Sequence, residues 1–298
     1  METGRGGLMH VLVLGAGFSG KAIAKAFLPL APSVTGTTRS SEKLAAIEDA
    51  GIHALVYDGV TISPELAEVM KRTTHLIQSI APGRDGDPMM RADAAPLLDL
   101  MPNLQWAGYL STVGVYGDHG GAWVTEDASL EPVSARSVER VAAEKAWLAL
   151  GAESGIPVAV LRLSGIYGPG RNAFCNIAAG TARRLIKANQ VFNRIRVEDI
   201  AGSALFLSER AMGGIFNVTD HEPAPPQDVV LEASRLMGVA PPPEIPFETA
   251  ELSPMARSFY GENKRVSNAR LRDAGYAFQF PDYRISLADL WSNDSWRG

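Results

Sequence analysis

Cysteine is almost absent. Cys175 is the only one in 298 residues, which excludes an internal disulfide and fits a reducing compartment. Its thiol reads as a small buried side chain, with a reactive role as the alternative. No apolar run comes near the roughly 20 residues of a membrane span, and the opening M-E-T-G-R-G-G has none of the apolar core of a secretion signal. Cytoplasmic residence without a membrane partner is therefore expected. Positive charge is not in excess either: 28 Lys and Arg stand against 33 Asp and Glu, so the basic patch that nucleic acid calls for is not expected. The five histidines, His10, His53, His75, His119 and His221, are dispersed without ligand spacing, and no metal site is expected. Internal repeats and low-complexity tails are missing too.

What is present is an ordinary globular composition, 46% hydrophobic and 20% charged, long enough for one large domain or two smaller ones. From Met9 to about Leu163, short apolar β-type runs alternate with helix-type runs. The β-type runs are V-L-V-L (Val11 to Leu14), Ser33 to Arg39, His53 to Asp58, His75 to Pro82, Leu104 to Thr112 and Val158 to Leu163. Between them, S-E-K-L-A-A-I-E-D-A, S-P-E-L-A-E-V-M-K and Val138 to Leu150 read as helices, and M-M-R-A-D-A-A-P-L-L-D-L as a helix that Pro96 kinks or restarts. Six β-type runs separated by helices predict an α/β fold with a doubly wound parallel sheet. Beyond Ser164 the pattern loosens, with a helical stretch near Ile177 to Lys187 and rigid proline connections at Pro223 to Pro226 and Pro241 to Pro243. This portion is expected to form a smaller lobe over the carboxyl edge of the sheet.

The most informative stretch is V-L-V-L-G-A-G-F-S-G (Val11 to Gly20), a buried strand, a glycine turn and then the helix-compatible K-A-I-A-K-A-F-L. In a Rossmann-type dinucleotide loop, Gly15 permits the tight turn, Gly17 lets backbone approach a pyrophosphate, and Gly20 lets helix pack on strand. Phe18 and Ser19 then open the helix whose first N–H groups face the phosphates. NAD(H)-binding folds usually carry an acidic residue at the end of the second strand. Here Thr37, Thr38, Arg39 and Ser40 occupy it, with Lys43 one turn on, and Arg39 offers a guanidinium fork and Thr38 and Ser40 hydroxyls to a ribose 2′-phosphate. NADP(H) is therefore favoured, NAD(H) stays possible, and a solvent-facing Arg39 without ligand is the alternative.

Taken together, G-A-G-F-S-G, Y-L-S-T-V-G-V-Y-G-D (Tyr109 to Asp118), L-R-L-S-G-I-Y-G-P-G-R-N (Leu161 to Asn172), R-V-E-D-I-A (Arg196 to Ala201) and G-I-F-N-V-T-D (Gly214 to Asp220) carry a resemblance over nearly the whole chain. The sequence resembles the extended short-chain dehydrogenase/reductase superfamily, in its NAD-dependent epimerase/dehydratase group. The resemblance implies a Rossmann domain over 1–165, with 195–220 packing back onto it, and a substrate lobe mainly over 166–298. It also implies hydride transfer by a Ser/Thr, a Tyr and a Lys. Ser111 and Thr112 supply the hydroxyl, Thr112 aligning with the residue that orients the substrate oxygen. Asp58 would lie beside adenine, although an Asp-Gly turn that caps its own loop is equally open. Ser79, Ile80, Ala81 and Pro82 would line the nicotinamide ribose.

The agreement stops at Y-x-x-x-K. In P-V-S-A-R-S-V-E-R-V-A-A-E, Arg136 stands where the tyrosine belongs and Arg140 where the lysine belongs, and a shift of register to Lys145 brings only Val141 as its partner. This is similar to atypical members that keep the cofactor fold and lose the tyrosine. A guanidinium stays protonated near neutrality, and losing general acid/base help costs about 10²–10⁴ in rate. Tyr116, Tyr167 and His119 are replacement proton carriers, against packing for Tyr116 and a solvated loop for His119. Arg136 and Arg140 share a helix face and would either clamp an anion or form a surface ladder in which Arg140 pairs with Glu144. Arg171 and Asn172, with Tyr167, are candidate substrate contacts, a salt-bridged loop being the alternative. Glu198 and Asp199 read as structural residues of a helix start. Two functions remain open: an oxidoreductase or epimerase-like enzyme on a small polar, sugar-derived or anionic substrate, and a catalytically silent nucleotide sensor. A homodimer through the alanine-rich helix is compatible with both.

Overall fold

The structure is a computed structural model that describes residues 8–91 and 96–298, with backbone alone for 254–256. The chain runs β1 (His10–Leu14), α1 (Phe18–Phe27), β2 (Ser33–Thr38), α2 (Leu44–Glu48), β3 (His53–Val56), α3 (Pro64–Arg72), β4 (His75–Gln78), α4 (Leu97–Leu100) and β5 (Trp106–Thr112). After a 3₁₀ turn over Val113–Tyr116 come β6 (Trp123–Val124), α5 (Ala135–Ser154), β7 (Val158–Leu163), β8 (Gly165–Tyr167), α6 (Ala173–Ala178), β9 (Arg184–Ile186) and β10 (Arg194–Arg196). The remainder is α7 (Val197–Glu209), β11 (Gly214–Val218), α8 (Pro226–Met237), β12 (Glu244–Pro246), α9 (Pro254–Phe259), β13 (Arg265–Val266), α10 (Ala269–Asp273) and α11 (Tyr283–Ser292).

Seven strands form one sheet in the order β11-β7-β5-β4-β1-β2-β3, a Rossmann-type doubly wound arrangement. β1 lies between β2 and β4 and is parallel to both, Val13 facing Gly36 on one side and Ile77 on the other. This is the point where strand order reverses, and open α/β sheets bind ligands beyond the carboxyl ends there. Four of the five residues of β1 are buried, as a strand covered on both faces requires. Helix ends follow local chemistry. The Ser63 hydroxyl accepts from the Leu66 N–H before α3, with Pro64 in its first turn, and α5 runs from a Ser134 cap to Gly155 at φ +73°.

Two compact units divide the chain. The first gathers the described residues up to Thr112 with Ser134–Arg162 and Ile200–Ile215. Its core includes Leu12, Leu14, Tyr109 and Trp147, the last two stacked at 5.9 Å. A buried ion pair links α5 to β7: Arg162 donates from Nη2 to Glu144 Oε2 at 2.7 Å and from Nε to both carboxylate oxygens, and Ser111 of β5 donates to Oε1. Both charged residues are 2% exposed, so each leaves water only because the other is there.

The second unit comprises Val113–Val133, Leu163–Asp199 and Phe216–Gly298. Phe174, Tyr283, Leu287, Leu290 and Trp296 form one of its cores. Asp199 clamps the 276–280 segment, accepting from the Tyr276 hydroxyl and from the Gln279 and Phe280 N–H groups. Arg196 is bidentate to Glu198 and also reaches Asp289. Glu198 and Asp199 therefore do structural work.

Two elements differ from the sequence expectation. The helix expected near Ile177 to Lys187 is α6, which starts earlier on an Asn172 cap and ends before Gly180 at φ +67°; the chain then turns and Leu185 is buried in β9 against β12. The sheet also has a seventh strand, β11, in which the buried Asn217 interrupts the apolar residues. Within M-M-R-A-D-A-A-P-L-L-D-L, residues 92–95 lie outside the described residues, and α4 begins directly after Pro96. The opening seven residues lie outside them as well.

Breaking the ion pair alone has a large cost: Glu144→Gln should destabilise the protein by about 3–5 kcal/mol in urea unfolding, whereas Glu144→Leu with Arg162→Met should recover most of that. His75 in β4 carries a second expectation. Burial pushes its imidazole down to about 4, so the folded state holds it neutral. Its contribution is present above the unfolded value near 6.5 and is lost as pH falls toward the folded value. Relative to His75→Leu, the wild type should lose up to about 3 kcal/mol of stability over that range.

Candidate cofactor and active site

The glycine turn is suspended from β2. Thr37 is fully buried, its hydroxyl accepting from the Gly15 N–H at 3.0 Å and its carbonyl from the Ala16 N–H at 2.7 Å. The Ser79 N–H donates to the Leu14 carbonyl at 2.9 Å, tying the other flank to β4. Each glycine has a separate reason. Gly15 sits at φ +89°, a conformation that L side chains rarely adopt. A Cβ on Gly20 would lie 2.3 Å from the Gly15 carbonyl oxygen, so α1 packs on the turn only without a side chain there. A Cβ on Gly17 would meet nothing within 4 Å. That open side faces outward at the start of α1, where no side chain caps the helix and no acidic residue stands in the first turn. Phe18 and Ser19 are half-buried in that turn. A pyrophosphate fits this cradle: its charge suits the helix end, and the glycine leaves room for its oxygens.

At the end of β2, Arg39 and Lys43 are exposed, Ser40 is half-buried, and the Thr38 hydroxyl accepts from the Ser40 N–H at 3.4 Å. Asp58 caps its own turn, its carboxylate accepting from the Val60 and Thr61 N–H groups at 2.8 and 2.7 Å. Those two bonds hold it below the usual carboxylate range and leave one oxygen outside the turn. Beyond β4, Ser79 and Ile80 are half-buried, Ala81 is exposed and Pro82 is buried.

Thr112 closes β5 and is half-buried, placed at the carboxyl end of the strand. Ser111 beside it is committed to Glu144. Glu144 also disposes of the surface ladder, because it turns inward to Arg162 and away from solvent. The two arginines have different surroundings. Arg136 is exposed, while Arg140 is half-buried and donates from Nη1 to the Leu110 carbonyl and, at 3.2 Å, to the Tyr109 hydroxyl. A matched clamp from both forks is not the arrangement found. Burial pushes the Tyr109 phenol up to about 12, so it does not exchange protons near neutrality.

In the second unit, Tyr116 is buried and donates to Asn217 Oδ1 at 2.6 Å, and a His119 ring nitrogen lies 3.1 Å from the Tyr116 carbonyl. The Tyr167 hydroxyl is buried and its acidity is suppressed further by desolvation. Asn172 has spent its amide: Oδ1 accepts from the Cys175 N–H, and Nδ2 donates to the Gly168 and Trp296 carbonyls. Arg171 next to it is exposed. The sequence places Thr37 at the end of the second strand but gives no sign that it suspends the turn, since its partners Gly15 and Ala16 lie some twenty residues away.

The fold and the glycine cradle define a dinucleotide-binding protein. The family model for the NAD-dependent epimerase/dehydratase family matches residues 11–218, and the chain belongs to that family. It is 41% identical to a conserved protein of unknown function from Silicibacter pomeroyi, with 95% of this chain and 98% of that one covered at a TM-score of 0.85. It is 26% identical to Protein YeeZ of Escherichia coli over 291 residues, covering 92% of this chain and 97% of that protein. The fold is shared with UDP-glucuronic acid 4-epimerase from Bacillus cereus in complex with NAD, at 16% identity and a TM-score of 0.75 over 95% and 96% of the two chains.

Two glycine substitutions separate cradle from scaffold. Gly17→Ala should keep the unfolding midpoint yet weaken NADPH or NADH binding by about tenfold or more, since its methyl occupies only the ligand's room. Gly20→Ala should lower both stability and affinity, as seen by calorimetry and nicotinamide fluorescence.

Proposed function

We propose that this chain is an NADP(H)-dependent oxidoreductase or epimerase-like enzyme acting on a small polar, anionic or sugar-derived substrate. The observation that carries the reading is the open side of Gly17 at an uncapped helix start, with exposed Arg39 and Lys43 at the next strand end. Arg39 is suited to a 2′-phosphate as a planar fork, and Lys43 adds charge one turn away. When bound, the nicotinamide supplies or accepts hydride. The chain's own residues bind and orient: Thr112 holds the reacting oxygen of the substrate, and exposed Arg136 attracts an anionic group. Water supplies or takes the proton, because guanidinium groups occupy the tyrosine and lysine positions.

A second reading, an NADP(H) sensor without turnover, is favoured by the same side chains. Ser111 is held by Glu144, Tyr116 by Asn217, and Tyr109 is too weak an acid. Hydride transfer from NADPH to aldehydes, ketones and nucleotide sugars separates the two, turnover supporting the enzyme and tight binding without turnover the sensor. Arg39→Ala should weaken NADPH binding at least about tenfold and leave NADH within about twofold. An unchanged NADPH affinity would reject the 2′-phosphate assignment.

A further inference from the structure

Gln78 is the last residue of β4 and lies in the last rung of the sheet before the ligand edge, in register with Leu14 of β1 and Tyr109 of β5. All three are fully buried, and Leu14 is the residue before the glycine turn. An amide in such a place gives up its water, so its presence is accounted for by what it bonds. Gln78 Nε2 donates to Asp87 Oδ1 at 2.8 Å, and Oε1 accepts from the Ile80 N–H at 3.3 Å. The partners decide which way the amide faces, because a backbone N–H calls for its oxygen and a carboxylate for its nitrogen.

Those two bonds reach both ends of one loop. At the start, a Cβ on Gly15 would lie 3.2 Å from the Ile80 nitrogen and 3.1 Å from Ile80 Cγ1, so the loop leaves β4 in contact with the glycine turn. At the far end Asp87 is 2% exposed, and its Oδ1 also accepts from the Met89 N–H at 2.9 Å. Between them Pro82 is buried, and Gly83 and Gly86 exchange backbone hydrogen bonds at 3.1 and 3.0 Å in a hairpin whose tip, Arg84 and Asp85, is exposed. The loop is thus closed twice, by backbone at the tip and by side chains at the base. Asp87 Oδ2 has no hydrogen-bond partner, so a single oxygen does all the bonding of this carboxylate.

We propose that Gln78 is a positioning residue for the cofactor edge: bonded to Ile80 and Asp87, it pegs both ends of the 79–89 loop to the tip of β4 and sets where that loop stands beside the glycine turn. The proposal rests on the proposed function in one respect, that this loop lines the nicotinamide end of a cofactor. A loop already held in place spares the ligand the entropy of ordering it. The peg requires an acceptor oxygen at position 87, and a neutral amide there serves as well as a carboxylate.

The test uses the full-length protein. Gln78→Met fills the same space without either bond, and amide hydrogen exchange of the 79–89 peptide should quicken at least about fivefold while that of β1 and β2 is unchanged. NADPH affinity should fall at least about fivefold, whereas adenosine 2′,5′-bisphosphate, which carries the adenosine end and no nicotinamide, should bind within about twofold of wild type. Asp87→Leu should repeat both effects. Asp87→Asn keeps a carbonyl oxygen and should leave exchange and NADPH affinity within about twofold of wild type. Unchanged exchange in Gln78→Met overturns the proposal, and so does faster exchange with unchanged NADPH affinity. Equal losses for NADPH and the bisphosphate also overturn it, since general loosening of the fold then suffices, as does an Asp87→Asn variant as impaired as Asp87→Leu. If the wild type binds NADH in place of NADPH, NADH and AMP take the two ligand roles. If it binds neither dinucleotide, the cofactor reading fails, and exchange in Gln78→Met and the two Asp87 variants decides the peg.

Discussion

The approach of α1 to the end of β1 is the constraint on which the site depends. Gly20 lies against the Gly15 carbonyl so closely that no side chain can intervene. That contact brings the first turn of a ten-residue helix to the carboxyl edge of the central strand, with its N–H groups directed outward. Everything required of the ligand edge is then set by neighbouring strand ends. β2 supplies the hydroxyl and carbonyl that suspend the turn, and β4 supplies Gln78, which fixes the next loop.

The long helix α5 carries Arg136 and Arg140 one turn apart, the first exposed and the second turned to the sheet. Glu144 pairs with Arg162 across on β7, and Arg140 donates to the Tyr109 hydroxyl and the Leu110 carbonyl of β5. Fixed charges of this kind orient dipoles and hold loops, but they do not shuttle protons.

How much was legible in the sequence depended on whether a feature was local. The turn from Val11 to Gly20 was readable because strand, glycines and helix are contiguous, and the Ser63 and Pro64 start of α3 was readable for the same reason. β11 escaped because Asn217, satisfied by Tyr116 and Ser267, looks like a break in an apolar run until its partners are known. The helix expected through Lys187 failed at Gly180, whose backbone turns left-handed, and at Leu185, which is buried in a strand. Helical spacing put Arg136, Arg140 and Glu144 along one line, yet spacing cannot say which member faces inward. Only the distant Arg162 and Tyr109 reveal that Glu144 and Arg140 do.

Thr37 joins two structural features in one peptide. It suspends the glycine turn, and Thr38, Arg39 and Ser40 follow it directly at the end of β2. A displacement of the β2 tip is thereby passed to the glycine turn through a single backbone link, so the two cannot shift independently.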